Sequence, residues 1–152
     1  MKLAMIGLGR MGGSMVRRLM SGGEHACVVF DRDPQKVIEL ERAGAIGASS
    51  PADLIRRLDP PRILWLMLPA GAVTRAAIAE LGELASAGDI IVDGGNSFWK
   101  DDLAHAKALA AKGLHYVDVG VSGGVWGLER GYCLMIGGAR EGVDTLKPNF
   151  AW

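Results

Sequence analysis

Three glycines in the run Gly7-Leu8-Gly9-Arg10-Met11-Gly12, set between a short apolar run and an amphipathic one, restrict this chain more than any other feature. Alone, G-x-G-x-x-G arises by chance in many sequences. Here residues 3–6 read as a buried strand, and residues 11–20 place Met11, Met15, Val16, Leu19 and Met20 on one helical face. A strand that passes straight into a helix through such a loop is a dinucleotide-binding pattern. The first glycine allows the tight turn, the second lets backbone approach a pyrophosphate, and the third lets helix pack on strand. The phosphates then meet free N–H groups at the positive end of the helix.

A second β-branched run, residues 26–30, closes at Asp31, 19 residues after Gly12. A carboxylate there accepts from ribose hydroxyls and repels a 2′-phosphate, which favours NAD. Arg32 pulls the other way, because a guanidinium stacks on adenine or pairs with that phosphate. NAD is therefore the expected cofactor, with NADP less favoured.

The remaining pattern alternates short apolar runs with helical segments. Helices are predicted to start at Pro34, at Ser50-Pro51 (stopped by Pro60-Pro61), and over residues 72–85 and 101–112, with another from about Glu141. Strands are predicted over residues 63–68, 89–92, 116–119 and 132–136. Such alternation implies an α/β fold, a Rossmann doubly wound, mostly parallel sheet with helices on both faces, as one domain over residues 1–152.

Lys plus Arg and Asp plus Glu each number 17, so no basic surplus points to nucleic acid. No apolar stretch reaches the ~18 residues of a membrane span, and no signal peptide precedes the glycine loop. A soluble, cytoplasmic protein is expected. Cys27 and Cys133 lie far apart in apolar runs and read as buried, reduced thiols. No metal site is expected, since His25, His105 and His115 lack ligand spacing with either cysteine. Trp65 and Trp99 read as core or half-buried packing residues, as does Trp126. Arg17, Arg18, Arg56 and Arg57 read as solvated helix faces.

Three more loops follow strand ends, where ligands collect in open α/β sheets: Leu68-Pro69-Ala70-Gly71, Asp93-Gly94-Gly95-Asn96-Ser97 and Val121-Ser122-Gly123-Gly124. Each taken singly is as readily a turn. Together they suggest that Asn96 faces a hydroxylated substrate or the nicotinamide, and that Ser122 with the Gly123 and Gly124 backbone binds a carboxylate.

These four motifs, in this order and spacing, resemble 6-phosphogluconate dehydrogenase, nearest its shorter, usually NAD-linked bacterial branch, which carries a stretch like Val125-Trp126-Gly127-Leu128-Glu129-Arg130-Gly131. The resemblance covers the whole chain, and Asp93-Gly94-Gly95-Asn96-Ser97 is its most discriminating piece. It implies that Leu8, Gly9, Arg10 and Met11 hold the pyrophosphate and Asp31 the adenosine ribose. Leu68, Pro69 and Ala70 would lie along the cofactor, Asn96 would contact substrate and nicotinamide, and Ser122, Gly123 and Gly124 would bind the sugar acid. The family oxidises the C3 hydroxyl of 6-phosphogluconate, releases carbon dioxide and yields ribulose 5-phosphate.

The family's lysine base, followed by His-Asn-Gly, and its glutamate acid have no counterpart here. Lys147 precedes Pro148 and does not match, and Lys100, Lys107 and Lys112 are expected to be exposed. The chain therefore reads as the cofactor domain alone, inactive by itself, with no catalytic residue of its own and the helical, dimer-forming second domain absent. Its aromatic end at Asn149-Phe150-Ala151-Trp152 suggests that the natural sequence continues. Two further readings stay open: another β-hydroxyacid dehydrogenase of 3-hydroxyisobutyrate type, and a non-catalytic NAD-binding module.

Overall fold

The computed structural model describes residues 1–147, the side chain of Val125 excepted, so the aromatic C-terminal run lies outside the described residues. The elements are β1 (Lys2–Ile6), α1 (Arg10–Ser21), β2 (Ala26–Phe30), α2 (Pro34–Glu41), β3 (Ile46–Gly47), α3 (Pro51–Arg56) and β4 (Ile63–Leu66). They continue with α4 (Ala72–Leu84), β5 (Ile90–Asp93), α5 (Trp99–Ala110), β6 (His115–Ser122), α6 (Gly127–Arg130), β7 (Cys133–Gly138) and α7 (Arg140–Leu146). One sheet joins the strands in the order β3-β2-β1-β4-β5-β6-β7. All neighbours are parallel except β6 and β7. This is the doubly wound α/β architecture expected from the sequence.

Alternation along each strand builds two cores. Leu3, Met5, Ile63 and Trp65 point to the face covered by α1, α2 and α7, where they meet Met15, Val16, Leu19, Leu40 and Leu146. Ala4, Ile6, Leu64 and Leu66 point to the opposite face, against Leu54, Ile78, Leu81 and Leu109 of α3, α4 and α5. Short runs buried on both sides are what a parallel sheet demands.

Register aligns the strand ends. Phe30 pairs with Ile6, Ile6 with Leu66, Leu66 with Asp93, and Asp93 with Asp118, so the loops after β2, β1, β4 and β5 leave from one edge. β4 stops at Leu66, two residues short of expectation: Met67 N–H still donates to Ile6 (2.8 Å), but Pro69 has no N–H to continue the ladder. β6 outlasts expectation because β7 returns antiparallel and pairs it as far as Ser122. The two-residue β3 and the helical turns at Gly124–Trp126 and α6 were not anticipated.

Several side chains depart from expectation. Cys27 is buried, but Cys133 is exposed, because β7 is an edge strand with one face open. Trp65 is fully buried, whereas Trp99 is 59% and Trp126 57% exposed. Arg18 is not simply solvated: its guanidinium donates to the Leu128 carbonyl at 3.0 Å, tying α1 to α6.

Arg56 and Arg57 are also not idle, since both pair with Asp53 in α3. Ser50 caps this helix by accepting from Asp53 N–H (3.1 Å), and the Asp53 carboxylate reaches back to Ser49 N–H (3.0 Å). The Ser49 hydrogen bond, then the Arg57 guanidinium, hold the Asp53 carboxyl well below the usual carboxylate range. A depressed folded-state value adds stability in full above the unfolded carboxyl's value and loses it as pH falls through the folded one. Stability curves of wild type and Asp53→Asn should therefore differ by a constant amount above about pH 5 and draw together progressively as pH falls below about 4. Urea melts across that range check this, and a constant offset down to the acid limit would contradict it.

Candidate functional site

β1 lies between β2 and β4, and the chain moves outward from β1 to β3 before jumping back to β4. The helices that follow β1 and β4 consequently leave on opposite faces, and a cleft opens between their loops. Its volume is about 600 Å³, in the range that holds a small ligand. Gly7, Gly9, Arg10, Met11 and Gly12 form one wall, Phe30, Asp31 and Arg32 one end, and Met67, Leu68 and Pro69 with Val73 and Ala77 the apolar other side.

The three glycines differ in what surrounds them. A Cβ on Gly7, whose φ is +91°, would strike the Met67 carbonyl oxygen and come within 2.8 Å of the Leu68 side chain. A Cβ on Gly12 would strike the Gly7 carbonyl oxygen, so α1 crosses β1 at backbone contact. Gly9 differs: among the described residues, its chain neighbours aside, no atom lies within 4 Å of its Cβ position. It is also the N-cap of α1 and supplies no side-chain cap, which leaves first-turn N–H groups for an anion. Open space at Gly9, an uncapped helix and apolar walls fit a dinucleotide.

Asp31 stands at the end of the cleft with its side chain 12% exposed. Oδ2 accepts from Leu8 N–H at 2.6 Å and Oδ1 from Asp33 N–H at 2.9 Å. The carboxylate thus also braces the glycine loop, which the sequence did not reveal. Leu8 turns its side chain into the core and offers the loop only backbone. Lys36 was missed as well. Its ammonium lies 3.7 Å from Asp31 Oδ2, lining the same cleft as Arg32. The available signal was its place in the first turn of a helix that Asp33 caps directly after β2.

The other expected residues share the sheet edge but not the cleft lining. Ala70 is exposed beside it. Asn96 is exposed at φ +55°, the one non-glycine positive φ among the described residues. Its loop hangs on Asp93, which is fully buried and accepts from Gly95 N–H (2.9 Å) and the Ser97 hydroxyl (2.6 Å). Tyr116 from β6 approaches the same carboxylate at 3.2 Å and Asp102 of α5 at 2.8 Å. Ser122 ends β6 four residues beyond the Asp93–Asp118 pair, and Gly123 and Gly124 turn away from it towards α6. Lys100, Lys107 and Lys112 are exposed, as expected. Among the described residues no cluster of His, Cys, Asp or Glu is arranged for a metal, and no helix is long and apolar enough to cross a membrane.

The family model for the NAD-binding domain of 6-phosphogluconate dehydrogenase matches residues 2–151. The chain belongs to that family. The NAD(+)-dependent, decarboxylating 6-phosphogluconate dehydrogenase of Haloferax volcanii is 41% identical over 150 residues, 99% of this chain and 49% of that protein. The NADP(+)-dependent, decarboxylating 6-phosphogluconate dehydrogenase of Bacillus subtilis is 34% identical, over 97% of this chain and 32% of its own length. The chain thus spans about half the length of the first relative and about a third of the second. Among solved structures, Plasmodium falciparum 6-phosphogluconate dehydrogenase superposes with a TM-score of 0.90 at 29% identity, covering 97% of this chain and 33% of that one. Mycobacterium tuberculosis 3-hydroxyisobutyrate dehydrogenase does so with 0.85 at 25% identity, covering 97% and 50%. The matching family model describes an NAD-binding domain, and the two curated relatives are named as NAD(+)-dependent and NADP(+)-dependent dehydrogenases.

Proposed function

We propose that this chain is the dinucleotide-binding unit of an enzyme that oxidises 6-phosphogluconate to ribulose 5-phosphate and carbon dioxide, with NAD preferred to NADP. The observation that carries the reading is the cleft at the β1–β4 switch point, bounded by the uncapped end of α1 and by Asp31. Bound in this cleft, a nicotinamide dinucleotide would supply the hydride acceptor for C3 of the sugar acid. Residues of this chain bind and orient. Gly9, Arg10 and Met11 present backbone N–H groups to the pyrophosphate, Asp31 meets the adenosine ribose, and Leu68 and Pro69 lie along the cofactor. Asn96 faces the nicotinamide and the substrate hydroxyl, and Ser122, Gly123 and Gly124 receive the sugar acid. The proton of the C3 hydroxyl goes to a base outside this unit, because Lys100, Lys107 and Lys112 do not line the cleft, and Lys112 is held by the Gly82 carbonyl and Glu83.

Asp31 supports the choice of NAD. A 2′-phosphate placed about 4 Å from a carboxylate is repelled by ~1 kcal/mol in water and ~4 kcal/mol near a protein surface. Arg32 and Lys36 offset part of this. Titration of the chain with NADH and NADPH, followed by tryptophan and nicotinamide fluorescence, should give saturable binding with NADH favoured by about tenfold. Asp31→Asn keeps an oxygen for Leu8 N–H and removes the charge, so it should bring NADPH level with NADH. A preference for NADPH in the wild type would overturn the assignment.

A 3-hydroxyisobutyrate-type dehydrogenase is the second reading, and the mycobacterial structural likeness supports it. The Asp93-Gly94-Gly95-Asn96-Ser97 run, with the greater identity to 6-phosphogluconate dehydrogenases, favours the first.

A further inference from the structure

Asn96 occupies a backbone region that asparagine tolerates and most residues avoid, and something must hold it there. The nearest candidates are not in the loop itself. Asp93, the last residue of β5, receives hydrogen bonds from Gly95 and Ser97, one on each side of Asn96. Behind it, the Tyr116 hydroxyl sits 3.2 Å from Asp93 Oδ2 and 2.8 Å from Asp102 Oδ1.

A phenol has one proton to donate, so only one of these two carboxyl contacts can be its hydrogen bond. The other would set a lone pair against a carboxylate oxygen unless that carboxyl carries a proton of its own. Asp93 has two further donors, which favour its anion. Asp102 has none: it is 8% exposed, and its Oδ2 is buried without a hydrogen-bond partner. An anion there would be unsolvated, whereas a protonated Asp102 donates to Tyr116 and leaves Oδ2 a neutral oxygen.

We propose that Asp102, Tyr116 and Asp93 form a buried relay of positioning residues, Asp102 O–H to Tyr116 O–H to the Asp93 carboxylate, that sets the Asn96 loop at the nicotinamide end of the site. The relay rests on the reading of Asn96 given above. Burial, then the charges of Asp93 and Asp101, raise the Asp102 carboxyl, while the Tyr116 hydrogen bond and His105 oppose this less effectively. Other ionisable groups around the relay are few. β6 contributes His115 and Asp118, whose carboxyl is raised by its own burial and by Asp102 and Asp93, and Arg75 of α4 pairs with Asp101 at 3.4 Å. From the β7 side, Gly137, Gly138 and Ala139 line the adjoining cavity. Rising pH therefore removes the Asp102 proton, turns two anions on one phenol and loosens the loop.

The test uses this chain in two measurements: amide hydrogen-exchange protection of Gly95 without ligand across pH, and affinity for NADH against ADP-ribose, which lacks the nicotinamide. Tyr116→Phe should lower Gly95 protection and weaken NADH by about tenfold while leaving ADP-ribose unchanged. Asp102→Ala should behave likewise. Asp102→Asn supplies an amide N–H to Tyr116 in place of the carboxyl proton, so it should match the wild type near neutrality and abolish the loss of protection at higher pH. Equal weakening of NADH and ADP-ribose by Tyr116→Phe, or unchanged Gly95 protection in that variant, would overturn the relay. So would an Asp102→Asn pH profile identical to the wild type's. If the wild type binds no NADH yet Gly95 responds as described, the relay stands and the nicotinamide assignment of Asn96 falls.

Discussion

Gly12→Ala is expected to cost at least about a hundredfold in dinucleotide affinity, equivalent to ~2.7 kcal/mol. The added Cβ meets the Gly7 carbonyl oxygen and lies 3.2 Å from Met67 Cβ. Neither neighbour can yield cheaply, since one is backbone and the other is held where Met67 N–H bonds Ile6. The helix must move instead, carrying the Gly9, Arg10 and Met11 N–H groups away from the pyrophosphate position, and overpacking adds a stability loss of about 1–3 kcal/mol. Gly9→Ala is the informative contrast. Its Cβ enters open space, so the melting temperature should hold while NADH binding falls. Calorimetric titration and thermal melting of the two variants separate these outcomes. An unchanged Kd in Gly12→Ala would mean that the glycine loop is not the phosphate site.

The second large effect lies at the other end of the sheet and should leave binding alone. Asp89, fully buried ahead of β5, accepts from Arg62 N–H (2.7 Å), Ser86 N–H (2.9 Å) and the Arg62 guanidinium (2.9 Å). It joins the start of β4, the end of α4 and the start of β5 through one carboxylate. Asp89→Ala leaves two backbone donors and a guanidinium that is only 16% exposed without their acceptor. Breaking a buried pair from one side costs about 3–5 kcal/mol, and for a chain of this size each kcal/mol lowers Tm by roughly 2–4 °C. A drop of about 10 °C is therefore expected, with the Kd for NADH unchanged at temperatures where the variant is folded. A loss below ~1 kcal/mol would place the pair among weakly contributing surface ion pairs.

Much of the fold was legible because its signals are local. Pro34 and Pro51 mark first helical turns behind the capping side chains Asp33 and Ser50, and the structure has both. The run of residues 26–30 is a strand with those limits. Less local features were harder to read. Cys133 sits in an apolar run like Cys27, yet a run at a sheet edge is buried on one face only, and sequence does not say which strand is the edge. Trp99 stands in an alanine-rich helix whose buried side is chosen by Asp102 and Leu109 rather than by its largest residue.

The alternation of strands and helices, the glycine loop, the acid after β2 and the family itself follow from order and spacing along the chain, because each depends on runs of a few consecutive residues. The partnerships across the sheet do not. Asp31 bracing Leu8 and Tyr116 bridging Asp93 to Asp102 join residues that meet only once parallel strands are in register. Their chemistry comes from burial and from the count of donors around each oxygen, and both are set when the sheet and its helices close on one another.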